Sequence, residues 1–193
     1  MHRLAIFASG SGSNAERIIR YFQDHPDIHV PLIVSNHAEA YVLQRAENLK
    51  VPYVVFDREA FSDAGSLLRV LQEHGITWIV LAGFLWKVPD ELVKIYDRRM
   101  INIHPALLPS YGGKGMYGER VHRAVLAAGE KESGITIHYV NERYDEGECI
   151  FQARCPVLPE DTPESLADRI HALEHKHFPV VIEGLLLGEW SEG

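Results

Sequence analysis

Apolar and polar positions along this chain fall into two alternating rhythms. Short runs rich in β-branched and large apolar residues occupy Leu4–Ala8, Pro31–Ser35, Pro52–Phe56, Thr77–Ala82, Met100–Ile103 and Ile135–Val140. Between them, Asn14–Phe22, Ala40–Leu49, Asp63–His74 and Asp90–Tyr96 carry apolar residues three and four apart, the period of a helix with one buried face. Strands spaced by helices of about ten residues need crossover connections. The pattern therefore predicts an α/β fold, a Rossmann-like three-layer sandwich with a mostly parallel central sheet. Trp78-Ile79-Val80-Leu81 is continuously apolar, as a strand covered on both faces should be.

The second half reads differently. A glycine-rich stretch runs from Tyr111 to Gly118, followed by a predicted helix over Glu119–Ala127. Two strands, Gly134–Val140 and Cys149–Val157, are joined by an acidic turn, Asn141–Glu148. Thr162-Pro163 opens a last helix, with Thr as cap and Pro at a position whose N–H has no intrahelical partner anyway. Leu166, Ile170 and Leu173 give that helix an apolar stripe, and Pro179 is expected to break it. No linker composition appears, so residues 1–193 are expected to form a single domain.

Composition narrows the function. Hydrophobic residues make up 46% and charged residues 24%, which fits a globular protein with a real core. No apolar run approaches the ~18 residues of a membrane span, and the N-terminus does not read as a secretory signal. A cytoplasmic location without membrane contact is the expectation. Lys and Arg number 19 against 27 Asp and Glu, a formal charge of -8, whose field disfavours nucleic acid and anionic membranes as partners. A small phosphorylated substrate held at a local site remains compatible. Cys149 and Cys155 on one strand are roughly 20 Å apart, too far to bridge, and are expected as free thiols.

Four places carry chemistry-bearing residues. Ser9-Gly10-Ser11-Gly12-Ser13-Asn14 joins the first strand to the first helix. Glycines allow close backbone approach, and a helix start offers unpaired N–H groups, so a phosphate seat outweighs a plain tight turn. Ser13 and Glu16 also have capping-box spacing. The same residues formally match a dinucleotide fingerprint, but the second strand ends Val34-Ser35-Asn36 without the acid a nicotinamide site wants. Further on, Asn102 and His104 alternate with Ile101 and Ile103, so both polar groups share a strand face at its C-terminal end. An amide donor beside an imidazole suits acyl transfer: one steadies an oxyanion, the other moves protons. The acidic loop Asn141–Gly147 is by spacing alone a solvated turn, unless the fold brings a carboxylate to His104. Finally, His171-Ala172-Leu173-Glu174-His175 matches a zinc-protease pattern, yet such a site needs a further acidic ligand from another element and only 18 residues follow His175, so no metal is expected. Trp78 reads as sheet core and Trp86 as a pocket or surface aromatic.

Taken in order, Ser9-Gly10-Ser11-Gly12-Ser13-Asn14, Leu81-Ala82-Gly83-Phe84, Asn102-Ile103-His104-Pro105-Ala106-Leu107-Leu108-Pro109, His138-Tyr139-Val140, Asp145-Glu146-Gly147 and Glu174-His175 resemble the phosphoribosylglycinamide (GAR) formyltransferase family of folate-dependent enzymes. The resemblance spans Arg3 to about Leu187. It implies formyl transfer from 10-formyltetrahydrofolate, a co-substrate, to the amine of GAR in purine biosynthesis, with no tightly bound cofactor. Residues up to about 100 would form the phosphate-binding part, and about 101–190 the catalytic and folate-binding part. Asn102, His104 and Asp145 fall on the family's catalytic positions, with Asp145 keeping His104 cationic. Gly12, Ser13 and Asn14 would hold the phosphate of GAR, and Glu174 its ribose-glycinamide part. Leu85, Trp86, Lys87 and Val88 would line the folate pocket, which Asn141, Glu142, Arg143, Tyr144 and Asp145 would close, with Asn102 also facing the folate.

Two departures from the family pattern stand out. Gly112–Gly118 is longer and richer in glycine than the link in some members, and where some carry a histidine, Arg120 and His122 are the nearest residues. An arginine that some members use toward the folate tail has no secure match, leaving Arg58, Lys87 or Arg143 as substitutes. The resemblance implies a monomer or homodimer. A formyltetrahydrofolate hydrolase is the alternative within the formyl-folate enzymes, and a dinucleotide-binding oxidoreductase the alternative outside them.

Overall fold

The strand-then-helix rhythm becomes an α/β fold with seven strands in the order β3-β2-β1-β4-β5-β6-β7. The computed structural model describes residues 1–190. Two compact units divide the chain at Met1–Ile101 and Asn102–Gly193.

In the first unit, β1 (His2–Phe7), β2 (Ile28–Ser35), β3 (Tyr53–Val55) and β4 (Trp78–Leu81) alternate with α1 (Ser13–Tyr21), α2 (Tyr41–Asn48), α3 (Arg58–Ser62), α4 (Ala64–Glu73) and α5 (Asp90–Ile95). β1 pairs in parallel with β2 and β4, and β2 with β3, the Rossmann-like pattern the spacing predicts. Leu4 through Ala8 are wholly buried, because a parallel strand flanked on both edges and covered on both faces leaves nothing to water. β2 starts three residues earlier than the apolar run suggests. Its pairing skips from Arg3↔His29 to Ala5↔Leu32, a bulge at Pro31, which has no N–H to give the ladder. The short α3 is not visible as a periodicity; Asp57 caps it by accepting from the Ala60 N–H, and Asp63 then caps α4 through Gly65.

Two further expectations are corrected. Gly12, in the left-handed region at φ 71°, is the N-cap of α1, and no side chain caps it. The Ser13–Glu16 box does not form, because Gly12 rather than Ser13 is the cap, and the Glu16 carboxylate is held by Arg20 and Arg45. Trp78 is only half-buried rather than core.

The second unit holds the end of β5 (Met100–His104), then α6 (Glu119–Ala127), β6 (Glu132–Tyr139), β7 (Cys149–Pro156) and α7 (Pro163–Leu187). β6 and β7 form the antiparallel pair expected of strands joined by a turn. The turn demands glycine at 147: a Cβ there would lie 1.6 Å from the Tyr139 carbonyl oxygen. Pro179 does not break the last helix, which runs 25 residues. Phe178, Val181, Ile182 and Leu186 around it are buried, and that apolar burial outweighs the ~3 kcal/mol a mid-helix proline costs. Cys149 and Cys155 are both free thiols. No helix is long and apolar enough to cross a membrane among the described residues.

Candidate active site

In the first unit, the turn after β1 is held from several sides. Ser9 N–H donates to the Gly83 carbonyl, and Ser9 Oγ accepts from the Leu85 N–H at 2.9 Å. Gly12 is pressed onto α2: a Cβ at 12 would lie 2.4 Å from Val42 Cγ2, so only glycine fits. Ser13 and Asn14 begin α1 half-buried. With no side-chain cap, the helix start keeps its amides available to an anion.

Nearby in the same unit, Trp86 meets Phe61 edge-on at 5.5 Å and His37 at 6.4 Å, while the Arg58 guanidinium lies over its ring at 5.0 Å. Leu85 is exposed, Val88 buried, and Lys87 Nζ is ion-paired with Asp90 at 2.6 Å.

In the second unit, β5 carries Asn102 and His104 to its C-terminal end, and the β6–β7 turn brings Asp145 to both. Asp145 Oδ2 lies 3.6 Å from His104 Nδ1, and its Oδ1 lies 3.6 Å from His138 Nε2 and 3.5 Å from Asn102 Nδ2. Asp145 adopts φ 57°, a left-handed conformation uncommon for a side-chain-bearing residue. The glycine-rich segment holds the group from the other direction. Gly113 N–H donates to Asp145 Oδ2 at 2.9 Å, and His104 Nε2–H donates to the Tyr111 carbonyl at 2.8 Å. Tyr111 is itself tethered by its hydroxyl to Glu130 at 2.6 Å. A Cβ at Gly112 would press on Leu108 at 2.5 Å and on Asp145 Cβ at 3.2 Å.

These partners assign the protons. A carbonyl only accepts, so His104 carries hydrogen on Nε2 and its neutral form has a bare Nδ1 facing the carboxylate. His138 Nδ1–H donates to the Tyr139 carbonyl at 2.8 Å, which leaves Nε2 to accept from Asn102 Nδ2 at 3.0 Å. That bond orients the Asn102 amide. Below the cluster, Thr136 Oγ1 donates to the Ala106 carbonyl and accepts from Leu108 N–H and Gln152 Nε2, fixing the segment after β5.

Burial lowers the His104 pKa and outweighs the raising effects of Asp145 and of the Tyr111 hydrogen bond. This direction runs against the expectation of a cationic His104, because burial favours the neutral ring in the ligand-free chain. Burial alone would push the Asp145 carboxyl up, but His138 and His104, whenever they carry a proton toward it, and the Gly113 amide hold it below the ordinary carboxylate range. The result is an ionised carboxylate facing a proton-accepting imidazole, with an oriented amide beside them. Such a group can take a proton from a nucleophile and stabilise the cation it thereby becomes.

The remaining sequence candidates are distributed as follows. Asn141 organises the turn, donating to the Glu146 carbonyl and accepting from the Arg143 N–H. Arg143 pairs with Glu146 at 3.2 Å, and Glu142 and Tyr144 are exposed. Glu174 is buried on α7, and the His171 and His175 rings stack at 6.5 Å. No group of three or more His, Cys, Asp or Glu with metal-holding geometry is found among the described residues.

The family model described as Formyl transferase matches residues 2–182. A phosphoribosylglycinamide formyltransferase of Bacillus subtilis is 37% identical over 96% of this chain and 95% of its own length. This chain belongs to the formyl transferase family. A chloroplastic phosphoribosylglycinamide formyltransferase of Arabidopsis thaliana is 40% identical over 93% of the chain. The chain spans 64% of that plant relative's length, and 60% of a similar one from Vigna unguiculata. The phosphoribosylglycinamide formyltransferase structure from Anaplasma phagocytophilum superposes with a TM-score of 0.88 at 36% identity, covering 97% of this chain and 88% of that one. The corresponding structure from Streptococcus pneumoniae gives 0.86 at 35% identity, covering 96% and 99%.

The sequence alone assigns no role to His138, Tyr111 or Gly113. His138 had a usable signal, since Thr136 and His138 alternate on one strand face as Asn102 and His104 do. The other two act through backbone atoms, which residue identity does not reveal.

Proposed function

We propose that the protein transfers the formyl group of 10-formyltetrahydrofolate to the amine of GAR. The observation that carries this reading is the cluster of Asn102, His104, Asp145 and His138 at the end of β5. A bound metal or cofactor has no part in the proposal, and folate serves as co-substrate.

The amine nitrogen of GAR attacks the formyl carbon, and the carbonyl electrons move onto oxygen. An Asn102 N–H, the one held only at 3.5 Å from Asp145, turns to donate to that oxyanion. His104 Nδ1 takes the proton that the attacking nitrogen must lose. The imidazolium so formed faces the Asp145 carboxylate, whose attraction grows as the charge appears. Collapse of the tetrahedral species breaks the bond to N10, and His104 returns the proton to that nitrogen.

For substrate binding, the reading assigns the GAR phosphate to Gly12, Ser13 and Asn14, and the sugar-glycinamide part to Glu174. The folate falls to Leu85, Trp86, Lys87 and Val88 and to the turn residues Asn141, Glu142, Arg143 and Tyr144. Of the three cations considered for the folate glutamate, Lys87 and Arg143 already face carboxylates, whereas Arg58 has none among the described residues and rests on Trp86. Arg58 is therefore the cation assigned to that carboxylate.

The test is direct. With both substrates present, tetrahydrofolate should appear in step with formylated GAR, and omitting GAR should stop its release. Release of formate and tetrahydrofolate without GAR would instead indicate a hydrolase.

A further inference from the structure

We propose that Arg45, on α2, is the positioning residue that aims the phosphate-binding turn; this rests on the reading of that turn as the seat of the GAR phosphate. Arg45 Nε donates to the Ser11 carbonyl at 2.8 Å, and Val42 N–H donates to the Gly10 carbonyl at 3.1 Å. Two successive carbonyls of the turn are thus drawn onto α2. In a trans peptide the C=O of one residue and the N–H of the next point in opposite directions. The N–H groups of Ser11 and Gly12 are consequently turned away from α2. Gly12's own carbonyl accepts from Glu16 N–H at 2.9 Å, so the Ser13 N–H points out of the helix start. Three consecutive amides are oriented by acceptors pulled the other way, a backbone arrangement suited to an anion.

The same guanidinium solves an electrostatic problem. Glu16 stands in the first turn of α1, where its charge would repel an incoming phosphate. Arg20 and then Arg45 hold its carboxyl below the usual range, keeping it ionised but paired. Arg45 meets Glu16 through a terminal nitrogen while Nε serves Ser11, and its plane lies 4.9 Å from the Tyr41 ring. A lysine has no second prong with which to do both.

The experiment is steady-state kinetics on the full chain, with inorganic phosphate as a competitor against GAR. Arg45→Ala should raise the KM for GAR and the inhibition constant of phosphate about tenfold, the scale of one lost charge-assisted hydrogen bond. The KM for the folate should stay put. Arg45→Lys should recover less than half of the loss. Adding Glu16→Gln to Arg45→Ala should restore part of the phosphate affinity, since it removes the unpaired charge but not the missing anchor. A merely structural arginine would lower the unfolding midpoint and raise both KM values by a similar factor. That outcome, or an unmoved KM for GAR in Arg45→Ala, overturns the proposal. Ser13→Asp, which puts a like charge at the helix start, separates the role of Arg45 from the phosphate seat itself. If it raises the GAR KM while Arg45→Ala does not, only the role of Arg45 falls. If neither variant changes it, the phosphate seat itself is wrong.

Discussion

His104 is governed by two opposed influences, burial that favours the neutral ring and a carboxylate at 3.6 Å that favours the cation. Burial prevails in the free protein, and on the reading proposed above the neutral, proton-accepting form is the active one, its loss setting the acid limb of the kcat/KM profile. Asp145→Asn removes the raising influence, and the sign follows: the His104 pKa falls further and the acid limb moves to lower pH. Turnover should nonetheless drop about 10²-fold or more, because the imidazolium formed during transfer loses its counter-charge. His104→Ala should cost a similar factor, and the double mutant little more, since groups acting as one unit are non-additive. Losses that multiply, with an unshifted limb, would show that the two act separately. Arg58 offers an independent check on the same scale. Arg58→Ala should raise the KM for 10-formyltetrahydrofolate about tenfold and leave that for GAR alone. A folate analogue lacking the glutamate should not distinguish the variant from its parent; if it does, Arg58 is supporting Trp86 rather than meeting a carboxylate.

Among the elements, α7 shows how a helix start is secured. Thr162 and Ser165 cap each other, and Arg169 grips Asp161 with two nitrogens at 2.8 and 3.0 Å. The Arg169 contact, followed by hydrogen bonds from Leu158 N–H and Ser165, holds the Asp161 carboxyl well below the usual carboxylate range. A carboxyl depressed on folding stabilises above its unfolded pKa, and that contribution fades as pH falls toward the folded one. Asp161→Asn should therefore lower the urea midpoint at pH 7, with the gap between variant and parent closing below about pH 4. A gap that stays constant from pH 7 to pH 3 would mean that the loss comes from shape and not from charge. The turn between β6 and β7 is secured differently, by the Asn141 bonds across it and by the glycine that 147 requires.

At the scale of the molecule, what the sequence made readable was what repeats locally. Alternating rhythms predict the parallel strands from Leu4 onward, and the Asn102/His104 alternation puts both groups on one face. Pairings between distant positions were not readable: Asn102 and Asp145 are 43 residues apart, and nothing in their spacing brings them to 3.5 Å. Resemblance implied Asp145 beside His104 but not beside Asn102, whereas the chemistry of the acidic loop alone suggested a solvated turn. The Ser13–Glu16 spacing does not translate into a box because α1 starts one residue earlier, on Gly12 held in the left-handed region against Val42 of α2, a tertiary fit that local pattern does not encode. Pro179 misled for the converse reason, its local penalty being overruled by buried neighbours. Residue identity shows a carboxylate that could favour a cationic His104, but not the depth of burial that opposes it.

The Tyr111 carbonyl occupies one of the two nitrogens of His104. On the reading proposed above, this gives the imidazole a single working door. Incoming and departing nitrogens must call at the same lone pair one after the other, and a bucket brigade passing in at one side of the ring and out at the other is closed. The proton's journey is therefore a there-and-back errand, timed by how long the tetrahedral species waits, and the order of arrival and departure is built into the ring's orientation before either substrate binds.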